Sequence, residues 1–563
     1  MPLSPATRPI WMRSRGLEDR LPRAHRRART PLRTRNHLLG GRHLKRPDVR
    51  PQPACAGQEV APEHPTSRLS RPLGQPAGAR VWVLAVGALA LAGAAYFSHV
   101  LTVDSFYDLY AGRYIAGHGI PRVNVLTAAS HGSPWIDQQW LAHLGYYGAW
   151  AIAGYPAVAT VSVLLTVAGW VLLAVMMLRR GVPPTRMFTW TTVGAVVCLA
   201  DYQIQAQNFG FPLLVLTLWL LLADAGAVRP RLRTWLVIAV LAAWANLHGS
   251  VLLGVGITGL YAAQRAVAAS ARRDGRAVFS YCGLGLSALA AVACTPYGVG
   301  VVGYYRSLIG NSEISRYIGR WAPPDPADPV TWLFLALVAA VLIAVALAWR
   351  RGARPDPFLA TVAGVTLALA LIAARNQDWF ALTGVLLAAD AQARARDTPV
   401  PVLRRGFTVV VAGLLGTVAA ASYVSLITTT RSQFESQAPV RAIAAAAALA
   451  MGHPGWHILG DPYTGTSMLW LQPAATAGRD GFDVRFEQYT ERQLGEYFRF
   501  ILVRGAAWYQ VTRSYQVIVI SRQSVRLSHA LARLPGWRVV YADADGLVYR
   551  YQSPEDLASL SSS

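Results

Sequence analysis

Long apolar segments alternate with short polar segments along most of this chain. The first apolar run covers residues 81–100, and at about 1.5 Å per residue it is long enough to cross a bilayer core of about 30 Å. Further runs follow at about 156–178, 187–203, 209–226, 234–247, 250–268, 279–296, 330–349, 357–374, 379–393 and 406–427. The pattern therefore predicts a mainly α, polytopic membrane protein with about eleven transmembrane helices.

Arginine clusters occupy alternate gaps between these runs and predict the orientation of the chain. They lie around 179–186, 229–233, 272–276, 350–354 and 394–405. The positive-inside rule places these clusters and the N-terminus in the cytosol. The opposite gaps, and with them the long segment 102–155, then face outward. We expect a multi-pass protein of the cell membrane whose C-terminal part lies outside the cytoplasm.

Composition supports the membrane class and disfavours nucleic acid as a partner. The chain is 53% hydrophobic and only 15% charged, against roughly 25% charged residues in soluble domains. The net charge of +24 is concentrated in residues 1–80 and in the short loops, which is typical of an orientation signal. Residues 1–80 lack apolar periodicity, so we expect a disordered, basic cytosolic tail. The lipid bilayer is an expected partner.

The chain changes character after residue 427, which divides it into a transmembrane domain at 81–427 and a second domain at 428–563. A continuous β-branched run and two alternating segments predict a small sheet. The predicted strands lie at 517–520, 537–541 and 547–551, and the predicted helices lie at 491–503 and 523–534. We expect an extracytoplasmic α/β domain.

The outer segment 102–155 is too long for a simple connector. Its pattern predicts two short helices at the lipid–water interface, each with an aspartate at its N-cap. Asp104 begins the first helix, which ends near Gly119, and Asp137 begins the second, which runs to about Trp150. Aspartate is a favoured N-cap residue, so capping alone is the simple alternative to a chemical role for either side chain.

Several polar side chains from separate outward-facing gaps should meet at one membrane face. An aspartate there can accept a proton from a hydroxyl group, and an arginine can hold a phosphate. Structural roles compete with these: a helix-dipole interaction for an acidic residue, a snorkelling arginine, or a satisfied turn histidine or asparagine. The candidate residues are Asp104, Asp108, Asp137, Asn246, His248 and Arg375.

Motifs for other chemistries are absent from the sequence. We find no P-loop, no glycine-rich dinucleotide fingerprint after a strand, no Gly-x-Ser-x-Gly and no His-Glu-x-x-His. An ATP-driven pump and a zinc protease are therefore disfavoured. The four cysteines show neither a disulfide framework nor metal-ligand spacing.

The ordered series of segments resembles the GT-C superfamily of polytopic glycosyltransferases, in particular a bacterial branch of it. The resemblance covers about residues 80–552. The branch usually has glycine where this chain has Ser250, and it tends to have Glu-Trp where this chain has Arg320-Trp321, which weakens a metal site. The matching segments are 104–121, 134–141, 244–249, 295–298, 374–376, 479–485 and 535–537.

The resemblance implies transfer of a sugar from a polyprenyl-phosphate donor to an acceptor at the outer membrane face, with inversion. It implies that Asp104 is the general base and that Asp137 is a second carboxylate, which positions the acceptor or a divalent cation. Arg375 and His248 would meet the donor phosphate, and Asn246 and Asp108 are further candidates for substrate contact. The sugar, the metal requirement and the acceptor, whether glycan, lipid or protein, stay open.

Two other functions remain as alternatives at this stage. The same fold can serve as a non-catalytic membrane scaffold or a lipid-glycan binding protein. A transporter or flippase is the other alternative, although such proteins usually show internal repeats with broken spans in matching halves, and the sequence shows no convincing repeat.

Overall fold

A computed structural model describes residues 77–224, 226–395 and 405–552. Nearly all of the N-terminal tail predicted for residues 1–80 lies outside these residues, as do residues 553–563. Within the described ranges the chain forms twenty α-helices and one four-stranded sheet. The protein is thus mainly α, with a small C-terminal α/β region.

Each of the eleven apolar runs coincides with a helix. The first eight helices are α1 (Ala77–Phe97), α2 (Val103–His118), α3 (Trp140–Arg179), α4 (Pro184–Val197), α5 (Gly210–Ala223), α6 (Leu232–Trp244), α7 (Val251–Ala271) and α8 (Gly275–Ala291). They are followed by α9 (Val301–Gly310), α10 (Ser312–Tyr317), α11 (Pro329–Arg350), α12 (Pro357–Ile372), α13 (Gln377–Arg394) and α14 (Arg405–Ile427). Of these, α2, α9 and α10 lie outside the apolar runs.

In the described ranges, six helical segments are long and apolar enough to cross a membrane. They are Gly78–Phe97, Trp140–Arg179, Ala206–Ala223, Val251–Ala271, Pro329–Arg350 and Gly406–Ile427. Other apolar helices are shorter, such as α6 with 13 residues and α12 with 16. The multi-pass membrane architecture is therefore confirmed, with fewer full-length spans than the predicted eleven.

The first outer helix does not begin as predicted. Its N-cap is Thr102, whose hydroxyl accepts from the Ser105 N–H while the Ser105 hydroxyl accepts from the Thr102 N–H at 3.0 Å. This reciprocal pair satisfies two backbone donors, so Asp104 is not the cap and its side chain is available for another role. The helix ends at Gly119, as predicted, with φ 77°.

The second outer helix also differs from the prediction. Helix α3 begins at Trp140, and Asp137 does not cap it. The helix continues to Arg179 across a kink at Ala153 and Gly154, so the predicted outer helix and the second span form one element. Gly154 has φ 67°, a left-handed conformation that glycine adopts without steric cost, and this allows the change of direction.

Basic residues from two of the arginine clusters meet at one end of the bundle. Arg180, at the end of α3, pairs with Asp390 at 2.8 Å and with Asp356 at 3.5 Å. Arg394, at the end of α13, pairs with the same two carboxylates at 2.7 and 3.2 Å. Two of the alternate gaps therefore share one side of the helical bundle, as the arginine pattern requires.

The C-terminal region confirms the predicted α/β composition. Its helices are α15 (Arg431–Phe434), α16 (Val440–Met451), α17 (Gly465–Leu471), α18 (Pro473–Thr476), α19 (Glu491–Leu502) and α20 (Val525–Leu531). Its strands are β1 (Ile458–Gly460), β2 (Val517–Ser521), β3 (Trp537–Ala542) and β4 (Gly546–Tyr551). The sheet order is β1-β2-β4-β3, with β1 parallel to β2 and the other pairs antiparallel. Strand β1 was not predicted, because its three residues are too few to show a pattern.

A buried polar cluster joins α2 to the C-terminal region. Asp483 and Arg485 are fully buried and form an ion pair at 2.7 Å. The Tyr110 hydroxyl donates to Asp483 at 2.7 Å, and Arg485 donates to the Asn124 side chain at 3.0 Å. Arg485 also lies over the Trp135 ring, 4.3 Å from its centre. These contacts fix the helix that carries Asp104 and Asp108 against the C-terminal region.

Candidate active site

A cavity of about 800 Å³ lies where α2 meets the C-terminal region, and its walls come from many separate parts of the chain. Four of the six predicted site residues line it: Asp104, Asp108, His248 and Arg375. The other two, Asp137 and Asn246, do not line it. Further polar residues at its wall include Tyr107, Asp201, Gln203, Gln205, Gln207, Tyr304, Arg320, Asn376, Asp461, Asp483 and Glu487.

Asp104 and Asp108 lie one turn apart on α2 and both reach the cavity, since residues four apart share a helix face. Asp104 is solvent-accessible where it faces the cavity, and protein atoms surround the rest of its carboxylate. This desolvation raises its pKa, and the charges of Arg375 and Arg320 oppose the rise. A carboxylate with a raised pKa beside cationic groups is suited to proton transfer.

Asp108 lines the cavity and is connected to two buried side chains behind it, His143 and Asp137. Asp108 Oδ1 lies 3.2 Å from His143 Nε2, and His143 Nδ1 lies 2.9 Å from Asp137 Oδ2. Anions on both sides favour the imidazolium form, which carries a proton on each nitrogen. Burial raises the pKa of Asp108 to about 6, and the His143 contact works against that rise. Asp137 therefore lies behind the cavity wall and reaches it only through His143.

Asn246 holds two helices together. Its side-chain oxygen accepts from Trp140 Nε1 at 2.8 Å, and its amide donates to the carbonyl oxygens of Ala242 and Cys294, each at 2.8 Å. These bonds fix the start of α3 to the end of α6. A substrate contact by Asn246 stays a prediction, and these bonds supply the structural role.

His248 presents a defined hydrogen-bond donor to the cavity. The Ser250 N–H donates to His248 Nδ1 at 3.1 Å, and the Ser250 hydroxyl lies 2.7 Å from the same nitrogen. Because Nδ1 accepts, the neutral ring carries its proton on Nε2. Burial, together with the charge of Arg375, lowers the pKa of His248 to about 3, so the ring stays neutral. The backbone N–H of residue 250, which glycine would also supply, thus fixes the tautomer.

Arg375 lies in a short turn between α12 and α13, and its guanidinium stacks over Trp321 at 4.1 Å. Arg320, where the branch tends to have an acid, pairs instead with Asp201. Burial and the neighbouring Arg320 lower the pKa of Arg375, although a guanidinium remains protonated in proteins. Since Arg320 has a carboxylate partner, Arg375 is the better placed cation for an anionic ligand.

Glu487 is a cavity residue that sequence reasoning missed. It lies in the turn Phe486–Gln488 of the C-terminal region, just past the segment 479–485. Burial raises its pKa to about 7, with Arg485 acting in the opposite direction. No spacing in the sequence connects residue 487 to α2, so only proximity in the fold could identify it.

One wall of the cavity is apolar. It is formed by α7 and α12, through Leu252, Leu253, Gly256, Ile257, Leu260, Val362, Val365 and Leu369. Gly256 leaves open space, because a Cβ atom placed there meets nothing within 4 Å. The cavity therefore combines a charged end with a hydrocarbon-lined wall, which suits an amphipathic ligand.

The divalent cation considered for this site stays a prediction. Within the described residues no group of three or more His, Cys, Asp or Glu side chains is arranged to hold a metal ion. Asp104 and Asp108 supply two carboxylates on one helix face.

Comparison with known proteins gives structural similarity alone. No protein-family model and no curated protein matches the chain. The arabinofuranosyltransferase AftD from Mycobacteria is similar at 14% identity and a TM-score of 0.46, over 84% of this chain and 40% of that one. ArnT from Cupriavidus metallidurans, solved with undecaprenyl phosphate bound, is similar at 12% identity and a TM-score of 0.45, over 84% and 98% of the two chains. The chain thus spans under half the length of AftD.

Proposed function

We propose that this protein transfers a sugar from a polyprenyl-phosphate donor to an acceptor at the outer membrane face. The supporting observation is a single cavity that joins a carboxylate, Asp104, and a cation, Arg375, to an apolar wall. A lipid-linked donor needs that combination, because its carrier is hydrocarbon and its leaving group is a phosphate. The sequence resemblance to GT-C glycosyltransferases agrees with it.

In the proposed reaction Asp104 accepts the proton of the acceptor hydroxyl as its oxygen attacks the anomeric carbon of the sugar. The bond between that carbon and the phosphate oxygen breaks on the opposite face, which inverts the configuration. The carrier phosphate leaves with the bonding electrons. Arg375 and the Nε2–H of His248 stabilise the charge that develops on it.

The apolar wall supplies the binding energy for the carrier chain. Burial of one methylene group contributes about 0.8 kcal/mol, so a few isoprene units along α7 and α12 hold the donor while the polar end remains free for chemistry. A polyprenyl chain that enters from the bilayer needs such a path beside the helices.

The acceptor enters in this proposal from the C-terminal side, where Asp461, Asp483 and Glu487 reach the cavity. That geometry requires the domain at 428–563 to be extracytoplasmic and the N-terminus to be cytosolic. A reporter enzyme active only outside the cytoplasm, fused after residue 552, is expected to be active. An inactive reporter at normal expression would contradict the orientation and with it the proposal.

The reaction is tested in membranes that contain the full-length protein, with radiolabelled polyprenyl-phosphate sugars as donors. Asp104→Asn is expected to lower transfer by about 10²–10⁴-fold, the range for loss of a general base. Asp545→Asn, an exposed turn residue outside the cavity, is the matched control. Full transfer by folded Asp104→Asn would remove the base assignment. Donor binding without transfer by the wild type would instead favour the lipid-glycan binding alternative.

A further inference from the structure

We propose that His143, held by Asp137, is a positioning residue that keeps the Asp108 carboxylate charged and fixed at the cavity wall. The inference rests on the proposed function only where it gives Asp108 a task in sugar transfer. The charge state of Asp108 is a property of the protein alone and can be measured without any substrate.

The close approach of two helices brings the three side chains together. A Cβ atom at Gly112 of α2 would lie 2.2 Å from the His143 carbonyl oxygen of α3 and 2.6 Å from the Tyr147 Cβ. Only glycine therefore permits this contact. His143 and Asp137 are 0% exposed and Asp108 is 1% exposed, and the Tyr107 ring packs edge-on against the imidazole at 4.4 Å.

The arrangement is a poor device for stability alone. A core histidine needs one acceptor, whereas this one lies between two buried carboxylates. Its Nδ1 is hydrogen-bonded to Asp137, and its Nε2 is in ion-pair contact with Asp108 without hydrogen-bond geometry. Among the described residues Asp108 Oδ2, Asp137 Oδ1 and His143 Nε2 have no hydrogen-bond partner. Burying charged groups with unsatisfied atoms is costly. Of the three residues only Asp108 reaches the cavity. Any effect of His143 and Asp137 on the cavity is therefore exerted through the charge of Asp108.

The other ionisable groups around Asp108 favour its neutral form, so a nearby cation is needed to keep the carboxylate charged. Asp104 on the same helix and Asp137 in the loop between α2 and α3 both favour the neutral acid, as does burial. Only His143 among the principal influences favours the carboxylate. Tyr146 of α3 also faces Asp108 and is uncharged. A charged Asp108 accepts hydrogen bonds from sugar hydroxyl groups, whereas a neutral one also donates. His143 thus determines whether Asp108 acts only as a hydrogen-bond acceptor or also as a donor at the cavity wall.

Two substitutions at His143 separate charge from hydrogen bonding. The amide nitrogen of His143→Gln can take the place of Nε2 beside Asp108, and that of His143→Asn can take the place of Nδ1 beside Asp137; both are neutral. Infrared titration of the purified full-length protein follows the carboxyl band of Asp108, which Asp108→Asn identifies by its loss. His118→Gln, at an exposed position outside the cavity, is the histidine control.

Loss of the cation is expected to raise the titration midpoint of the Asp108 carboxyl group by about 1–3 pH units, which is the usual effect of an opposite charge at this distance. The rise should be larger in His143→Asn, because its amide lies beside Asp137 and not beside Asp108. His118→Gln should leave the midpoint unchanged. In the transfer assay the acidic limb of the pH profile should move upward with the midpoint, whereas a merely structural defect would lower the rate at every pH.

A midpoint unchanged in both folded His143 variants would overturn the proposal. If neither variant folds, the wild type labelled with ¹⁵N-histidine supplies the test. The imidazole whose signals respond to Asp108→Asn should carry protons on both nitrogens at neutral pH, and a neutral ring would overturn the proposal. Absence of transfer by the wild type, with the expected midpoints, would instead count against the proposed function and leave the charge assignment standing.

Discussion

Replacement of Arg375 by glutamine should weaken binding of a polyprenyl phosphate while the cavity keeps its shape. Glutamine retains a hydrogen-bond donor but loses the charge and the stacking of the guanidinium on Trp321, which lies 4.1 Å away. Arg320 cannot take over, because it is already paired with Asp201. The substitution therefore removes the cation that we assign to the leaving phosphate.

The expected loss follows from the surroundings of Arg375. Its side chain is half-buried, so a hydrogen bond from it to phosphate is charge-assisted and partly shielded from water. Such bonds contribute about 1.5–3 kcal/mol, which at 1.4 kcal/mol for each factor of ten corresponds to about 10–150-fold in Kd. Arg375→Lys should fall between wild type and Arg375→Gln, because it keeps the charge but loses the planar fork.

The assay is a titration of undecaprenyl phosphate into the purified full-length protein in detergent, followed by intrinsic tryptophan fluorescence. Arg306→Gln is the matched control, since Arg306 is an exposed arginine of α9 outside the cavity. If Arg375→Gln and Arg306→Gln both bind within about twofold of wild type, below the loss expected for one charged hydrogen bond, Arg375 is not the phosphate ligand and the proposed mechanism loses its leaving-group stabilisation.

Two further predictions concern opposite ends of the cavity. Glu487, with a pKa raised to about 7, is neutral below that pH and charged above it; if it contributes as a carboxylate, transfer should fall as the pH drops through about 7, and Glu487→Gln should lose that step. Identical pH profiles for the two proteins would contradict this. Gly256→Leu should fill open space in the apolar wall and weaken binding of a long-chain polyprenyl phosphate by about 15–60-fold, for two or three displaced methylenes at about 0.8 kcal/mol each, with geranyl phosphate unaffected. Gly259→Leu, on the same helix and outside the cavity, is the control, and equal losses for both chain lengths would refute the assignment of the wall.

The sequence predicted the elements well where hydrophobicity alone determines them. Eleven apolar runs correspond to eleven helices, and the hairpin of β3 and β4 lies where alternation placed it. The errors arose at helix boundaries, where local side-chain hydrogen bonds and backbone conformation determine the start and end of an element. Thr102 rather than Asp104 caps α2 because its hydroxyl forms a reciprocal pair with Ser105. Helix α3 continues through the predicted boundary between Trp150 and residue 156, with a kink at Gly154.

The placement of some candidate site residues could also be predicted from the sequence, whereas their functional roles stay predictions. Orientation signals bring outward gaps to one face, and Asp104, His248 and Arg375 do line one cavity. Residues that come together only through tertiary packing could not be identified from the sequence. His143 was not singled out although it lies only six residues after Asp137, and Glu487 is separated from α2 by more than three hundred residues. Neither has a spacing rule that connects it to the cavity.

The enclosed guanidinium of Arg485 has a consequence for biosynthesis. Arg485 pairs with Asp483 and donates to Asn124, and the Tyr110 hydroxyl donates to Asp483. The cluster therefore joins the first outer helix and the loop after it to the segment 483–485. A growing polypeptide that has inserted its helices but has not yet delivered residue 485 leaves Tyr110 and Asn124 without their counterparts, and one side of the hollow is missing. Under the proposed function, a chain that ends before residue 485 is therefore expected to lack a complete cavity and to transfer no sugar.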